Sequence, residues 1–521
     1  MQTHSQAQPL ASRRVHWANH VARHALMQPE ATAIRYRGEC TTWGELEDKS
    51  ARIAAVLSNM GVGVGDRIAL LLTNRPEFVQ MMVAANLLGA TVVPLNFRLS
   101  PSEVEFIVDD SAAAVVVVED SLLSAVSTLA PAVPLVVVGA DSAGRSLKKA
   151  MGDVVGLPLT IDVAEDSPAA IMYTSGTTGR PKGAVLSYQN LQMQALTLIR
   201  SWQLSSDGSE VNFVTSPLFH IAALATVGPF LFIGAPIVLH PTGAFNSSEV
   251  LDSLEKERVT SVFMVPTQWQ AIVDDRSLPE RDLCLRVISW GAAPASTSLL
   301  MRMNEAFPGV LNVALFGQTE MSPITCMLDA RDAVRKVGSV GKPIDSVSVR
   351  VVDADMNDVA TGEIGEIVYR GPGLMAGYWK NPEATAEAFE GGWFHSGDLV
   401  LVDDEGFVYV VDRKKDMIIS GGENIYCAEV ENAIASHPDV IDVAVIGRAD
   451  EHWGEVPVAV IVASADTTIT VDSLAEWLDG RVARYKRPKA VEIVSELPRN
   501  ASGKIVKGTL RGRYGSVGLV V

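Results

Sequence analysis

Tyr173-Thr-Ser-Gly-Thr-Thr-Gly-Arg-Pro-Lys-Gly183 decides how the rest of this 521-residue chain is read. Gly176, Gly179 and Gly183 let the main chain turn and come close to an anion. Thr174, Ser175, Thr177 and Thr178 supply hydroxyl donors, and Arg180 and Lys182 add positive charge. The apolar run 169–172 predicts a strand that delivers the loop. The segment reads as a wrap for a triphosphate, yet it is not the common G-x-x-x-x-G-K-[ST] loop, because Pro181 precedes Lys182 and Gly183 replaces the hydroxyl residue. Pro181 also disfavours a helix beginning at the lysine, which leaves a hydrogen-bonding loop as the expectation. A lone Gly/Thr-rich stretch is equally an ordinary surface turn, so the surrounding segments decide.

Upstream, Thr42-Trp-Gly-Glu45 has capping-box form, and Leu46, Ile53, Leu57 and Met60 recur at helical spacing until Gly61. A strand over 68–72, a helix opened by Pro76 and closed by Gly89, and a strand over 91–95 predict a β-α-β unit with parallel pairing. Downstream, strands near 262–265, 286–290 and 312–315 each end in a distinctive loop: Pro266-Thr-Gln, Gly291-Ala-Ala-Pro294 and Phe316-Gly-Gln-Thr-Glu320. These loops are expected at the carboxyl edge of one sheet, where open α/β sheets bind ligands. A hairpin around Asp404-Glu-Gly406 and the charged run Asp412-Arg-Lys-Lys-Asp416 mark a boundary. Beyond it, helices over 428–436 and 471–484 and strands near 440–446, 456–462 and 489–494 predict a compact α+β unit.

Composition narrows the function. At 55.7 kDa the chain exceeds one core, and a net charge of −18 with pI near 5.0 argues against nucleic acid. Cys40, Cys284, Cys326 and Cys427 form no C-x-x-C pair, which fits a reducing compartment without zinc or disulfides. The polar 1–15 segment lacks a signal-peptide centre, so a cytoplasmic protein is expected. The uncharged stretch 221–239 is long enough to cross a bilayer, but Gly228-Pro229, Gly234 and Pro236 divide it into a buried helix, a turn and a strand.

Tyr173 to Gly183, Gly291 to Pro294, Phe316 to Glu320, His395-Ser-Gly-Asp-Leu399 and Pro498-Arg-Asn-Ala-Ser-Gly-Lys504 resemble, in this order, the motifs of the adenylate-forming superfamily. Within it the chain is most similar to bacterial FadD-type fatty-acid CoA ligases. The resemblance implies an α/β fold: a large multi-subdomain lobe with mainly parallel sheets (1–412), a hinge (413–416) and a small α+β domain (417–521). It implies ATP, CoA and a hydrophobic carboxylic acid as substrates and Mg2+ as cofactor. ATP would contact Thr174, Ser175, Gly176, Thr177, Thr178, Gly179 and Lys182, with adenine between Phe316 and the Gly291-Ala292-Ala293 backbone. Gly317, Gln318 and Thr319 would line the nucleotide, and Asp398 and Arg413 the ribose. Glu320 and Thr177 would hold the metal; Lys504, Lys182, Thr319 and Glu320 would act in catalysis.

By the same resemblance, Arg98, Trp453, Tyr485, Arg487 and Lys489 would take CoA, and Lys415 would be the hinge residue. His220, Ala222, Ala223 and Gly291 would line the acyl pocket. The stretch 220–228 carries no charged side chain, and an unpaired buried charge is strongly unfavourable, so the acid is expected to be hydrophobic. The expected reaction is activation of a medium- to long-chain fatty acid to an acyl-adenylate and then to its CoA thioester. An aryl or steroid-side-chain acid is the alternative, as is an acyl-AMP ligase serving a carrier protein. The short interval from Glu320 to Asp398 leaves no room for the insertion of fatty-acyl-AMP ligases. A long acid would allow weak peripheral membrane contact, and a homodimer is compatible with the resemblance.

Overall fold

The computed structural model describes residues 10–129, 133–140, 146–152, 154–174, 181–293, 295–333, 335–465, 467–499 and 505–515. The chain divides into two compact units, Met1–Ser348 with Arg370–Phe394, and Val349–Tyr369 with His395–Val521. This division falls earlier than the expected boundary at 412. Strands Phe394–Val402 and Val408–Arg413 continue the order begun by Ser348–Val352 and Gly365–Arg370, so the hairpin around Gly406 groups with the second unit.

In the first unit, a 7-stranded sheet contains the expected β-α-β unit. Strand Arg67–Leu71 runs parallel to Thr91–Pro94, with helix Pro76–Leu88 between them in sequence. Strand Pro168–Thr174 follows Thr91–Pro94 in the sheet, then Lys182–Ser187, then Gly377–Tyr378. Helix Trp43–Asn59 carries the complete capping box: Thr42 accepts from the Glu45 amide, and the Thr42 amide donates to the Glu45 carboxylate. A buried cluster of Val, Leu and Ile side chains, including Leu71, Val93, Val116 and Ile171, fills one side of this sheet.

Strands Ile237–Leu239, Asn212–Val214, Ser261–Met264, Val287–Gly291 and Leu311–Gly317 run parallel in that order in a second sheet. The register sets Met264 beside Trp290 and Gly291 beside Leu315, so the loops after these strands leave the same edge. That edge is the one expected to bind ligand in an open α/β sheet.

The apolar stretch after His220 folds as helix Ile221–Ile233, ended by left-handed Gly234, and strand Ile237–Leu239. Gly228-Pro229 does not break the helix. Pro229 removes one N–H, but Pro229, Phe230 and Leu231 are buried, and that packing outweighs the lost bond. Among the described residues, no helix is long and apolar enough to cross a membrane.

In the second unit, strands Val440–Asp450 and Gly454–Ala463 pair antiparallel over a core of Ile, Val and Leu side chains, with Ala490–Ile493 parallel to the latter. The helix expected over 471–484 ends at Trp477. Gly480 takes φ +71, a backbone an α-helix cannot carry, and a 3-10 turn follows at Arg484–Lys486.

Helix Trp17–Met27 and its cap bring together His16, His20 and His24, all buried. His16 Nε2 lies 2.7 Å from the Val163 carbonyl, His20 Nε2 3.2 Å from Gln192 Oε1, and His24 Nε2 3.2 Å from the Phe232 carbonyl. Burial pushes His20 down from 6.5 to about 4, more than the Gln192 contact raises it. The folded state therefore holds His20 neutral while the unfolded chain binds a proton below pH 6.5, so stability is complete above 6.5 and falls as pH drops toward 4. Urea midpoints measured across this window should decline with falling pH, and His20→Gln should flatten the decline; an unchanged slope would remove His20 as its source.

Candidate active site

In the first unit, antiparallel pairing joins the two strands that flank the expected triphosphate loop. Strand Pro168–Thr174 meets Lys182–Ser187 in register Tyr173↔Gly183 and Thr174↔Lys182, and the Thr174 hydroxyl donates to the Lys182 carbonyl at 3.4 Å. Lys182 therefore opens a strand, as Pro181 implied, and no helix begins there. Ser175, Gly176, Thr177, Thr178 and Gly179 lie outside the described residues, as do Arg180, Pro294 and Lys504. The Tyr173 hydroxyl donates to Asp110 Oδ2, which ties the start of the loop to helix Pro101–Ser111.

Two close approaches shape the expected adenine region. A β-carbon on Gly291 would fall 2.2 Å from the Leu315 carbonyl oxygen, and one on Gly317 would fall 1.9 Å from the Pro323 carbonyl oxygen. Only glycine allows these backbones to touch, and they carry Phe316 between them on strand Leu311–Gly317. Ala292 adopts φ +64, an uncommon left-handed conformation for a residue with a side chain. Gln318 Nε2 is buried and meets no hydrogen-bond acceptor among the described residues.

Thr319 and Glu320 sit in the short 3-10 turn Thr319–Met321. Glu320 is 9% exposed, and its Oε1 accepts from the Tyr378 hydroxyl at 3.0 Å. The ammonium of Lys182 stands 5.3 Å from the centroid of the same Tyr378 ring. Burial, and then the Glu320 charge, push the Tyr378 hydroxyl well above the usual tyrosine range. No group of three or more His, Cys, Asp or Glu able to hold a metal occurs among the described residues. Buried Glu320 offers a carboxylate of the kind taken by a hard cation such as magnesium, which keeps few protein ligands.

His220 caps helix Ile221–Ile233. Its Nδ1 accepts from the Ala222 amide at 3.2 Å, so a neutral imidazole carries its proton on Nε2. Ala222 is partly exposed, whereas Ala223 is buried in the core. Next to His220, Phe219 packs edge to face on Phe97 with centroids 5.2 Å apart. Arg98 lies over the Phe97 ring at 5.3 Å.

The second unit places Asp398 opposite Arg413 in the hairpin register, with Arg413 Nε 2.6 Å from Asp398 Oδ1. Asp398 is 2% exposed. The segment ahead of it is held by buried Glu366, which accepts from the Gly397 amide at 3.0 Å, from Lys414 Nζ at 3.0 Å, and lies 3.2 Å from His395 Nδ1. Burial works to raise the Glu366 carboxyl, but Lys414, His395 and Gly397 together hold it below the usual range. Lys415 is exposed, although desolvation by its surroundings lowers its ammonium below the usual lysine range. Arg511 pairs with Asp416 at 2.6 Å and donates to the Lys415 carbonyl at 3.5 Å.

Of the residues expected to take CoA, Trp453, Tyr485 and Lys489 are exposed. Arg487 is committed within its own unit to Asp479 at 2.6 Å and to the Ala475 carbonyl. Motif reading did not reach Tyr378, Glu366, Phe97 or Phe219. Tyr378 is adjacent to Trp379 in an aromatic pair that had no motif attached, and Phe219 adjoins His220, which had one.

Residues 21–379 match the AMP-binding enzyme family, and residues 429–504 match the AMP-binding enzyme C-terminal domain. The chain is 43% identical to a feruloyl-CoA synthase of an Amycolatopsis species, covering 95% of this chain and 98% of that protein. It is 38% identical to an indoleacetate–CoA ligase of Aromatoleum aromaticum, covering 94% and 96%. It is 36% identical to the long-chain-fatty-acid–CoA ligase FadD13 of Mycobacterium tuberculosis, covering 91% and 93%. Among solved structures it is similar to O-succinylbenzoate coenzyme A synthetase (MenE) from Bacillus subtilis in complex with ATP and magnesium ion, with TM-score 0.84, 32% identity and coverage of 95% and 99%. The α/β architecture and the smaller C-terminal part agree with these relatives, and the chain belongs to the AMP-binding enzyme family as an AMP-forming acyl-CoA synthetase.

Proposed function

We propose that the chain is a CoA ligase for an aryl carboxylic acid, which turns the fatty-acid expectation to its alternative. The carrying observation is the pairing of Phe97 with Phe219 directly before His220, at the head of a helix whose 221–228 segment has no acidic or basic side chain. A flat aromatic ring is well received by edge-to-face neighbours, and nothing in the segment would pair a second carboxylate or an ammonium. The identities support the same choice, since the feruloyl and indoleacetate ligases stand at 43% and 38% against 36% for the fatty-acid ligase.

The substrate carboxylate, already ionised at neutral pH, attacks the α-phosphate of ATP; the acyl–O–P bond forms and the bond to pyrophosphate breaks. Two anions meet in that step, so cations around the reacting oxygens carry catalysis. On this reading Lys182 would neutralise the leaving pyrophosphate and Lys504 the attacked phosphate, while Glu320 and Thr177 would hold the metal. Magnesium, when bound, draws charge from the phosphate oxygens. Thr174 to Gly179 would supply donors to the phosphates, Gln318 and Thr319 would donate to the nucleotide, and Phe316 would stack on adenine. Asp398 accepts from the ribose hydroxyls with Arg413 fixing its second side. In the second half-reaction the CoA thiol adds to the acyl carbon, its proton passes to solvent, and AMP leaves; Arg98, Trp453, Tyr485, Arg487 and Lys489 serve the CoA end. Lys415 takes up the backbone rotation between the two steps.

Measured as kcat/KM for thioester formation, hydroxycinnamic, benzoic and arylacetic acids should exceed octanoic to palmitic acids by at least about tenfold, a difference of about 1.4 kcal/mol. A steady gain of about 0.8 kcal/mol per methylene along the fatty acids, ending above the aryl acids, would return the assignment to fatty acids. Asp398→Ala should weaken ATP binding by about 1.5–3 kcal/mol, the range for a hydrogen bond to a charged group. Unchanged ATP affinity by calorimetry would remove the ribose assignment.

A further inference from the structure

The Tyr378 side chain touches two residues that stand 138 positions apart and that the proposed reaction needs together. Its hydroxyl donates to Glu320 Oε1 at 3.0 Å, and its ring lies under the Lys182 ammonium at 5.3 Å. The ring itself is fixed by the short strand Gly377–Tyr378, which pairs with Lys182–Ser187 so that Tyr378 stands opposite Ala184. The same segment is anchored on the Glu320 side, where the Met375 amide donates to the Glu320 carbonyl at 2.8 Å. On its other flank, Trp379 Nε1 and Lys380 Nζ donate to the Asp110 carbonyl at 3.0 and 2.9 Å.

We propose that Tyr378 is the positioning residue of the metal–phosphate site, holding the Glu320 carboxylate and the Lys182 ammonium in the arrangement that a magnesium–nucleotide complex requires. This rests on the reading of Glu320 as metal ligand and Lys182 as phosphate partner. One Glu320 oxygen is engaged by the phenol, which orients the carboxylate and would leave the other oxygen for the cation. An aromatic face beneath Lys182 keeps a flexible four-carbon chain from wandering without removing its charge. Both residues are then in place before the nucleotide arrives, and preorganised groups stabilise a charged transition state better than groups that must be ordered during binding.

Tyr378→Phe separates the two contacts, since it keeps the ring under Lys182 and removes the donor to Glu320. Tyr378→Leu removes both. Binding of Mn2+ to the full-length protein in the presence of a nonhydrolysable ATP analogue, read by electron paramagnetic resonance, should weaken about five- to tenfold in Tyr378→Phe. The analogue's own affinity without metal should stay within about twofold. In Tyr378→Leu the metal-free analogue should also bind several-fold more weakly, because Lys182 loses its support. In both variants thioester formation from supplied acyl-adenylate should keep its wild-type rate, which a merely structural lesion would not spare.

Glu320→Gln is the control for the underlying reading. If it leaves Mn2+ binding unchanged, Glu320 is no metal ligand and both claims fall. If it abolishes Mn2+ binding while Tyr378→Phe leaves it unchanged, the role given to Tyr378 alone is overturned. If Tyr378→Phe fails to fold, the Tyr378→Leu comparison of metal-dependent and metal-free binding decides, and equal loss in the two would also overturn it.

Discussion

The antiparallel pairing of Pro168–Thr174 with Lys182–Ser187 is the constraint on which the rest of the first unit's site depends. It fixes both flanks of the expected triphosphate loop, with Thr174 opposite Lys182. The second of these strands also carries Gly377–Tyr378 on its other side, and through Tyr378 it reaches Glu320. Three segments distant in sequence are thereby registered against one another by backbone hydrogen bonds, which side-chain chemistry then refines. A slip of one residue in the pairing would turn Lys182 to the opposite face and detach it from Tyr378.

A comparable logic operates within the second unit. The hairpin register sets Arg413 against Asp398, and Glu366, arriving from the preceding strand of that sheet, gathers Gly397, His395 and Lys414. A buried carboxylate is costly unless fully hydrogen-bonded, and Glu366 meets that condition with a backbone amide and two side chains. Its partners are the residues flanking Asp398 and Arg413, so the pair is held by its neighbours as much as by itself. Helix Lys507–Tyr514 adds Arg511 to Asp416 and to the Lys415 carbonyl, placing a further tie on the segment expected to rotate.

Much of this was legible in the amino-acid sequence because the signals are local. The Thr42 to Glu45 capping box, the parallel strands on either side of helix Pro76–Leu88 and the hairpin at Gly406 all depend on residues within a few positions of one another. Where local rules met tertiary packing they lost: Pro229 remains inside a helix because its surroundings are buried, and the 471–484 helix stops at Trp477 because Gly480 leaves helical space. Tyr378 and Glu366 were not legible because their partners lie far away in sequence, at 58 positions for the Tyr378–Glu320 bond. The choice between a fatty and an aryl acid was not legible for a different reason. The lack of Asp, Glu, Lys and Arg in 220–228 argues against a second charged group on the acid but says nothing of flat against extended acids, and the aromatic contact of Phe97 with Phe219 appears only once the chain is folded.

At the centre of this account is adenylation of an aryl acid before CoA takes part. Pyrophosphate exchange into ATP, measured with a hydroxycinnamic acid and magnesium in the absence of CoA, tests that most directly. Exchange that depends on the acid and on the metal, and that needs no thiol, is the predicted result. Exchange absent until CoA is added, or ADP formed in place of AMP and pyrophosphate, would contradict it.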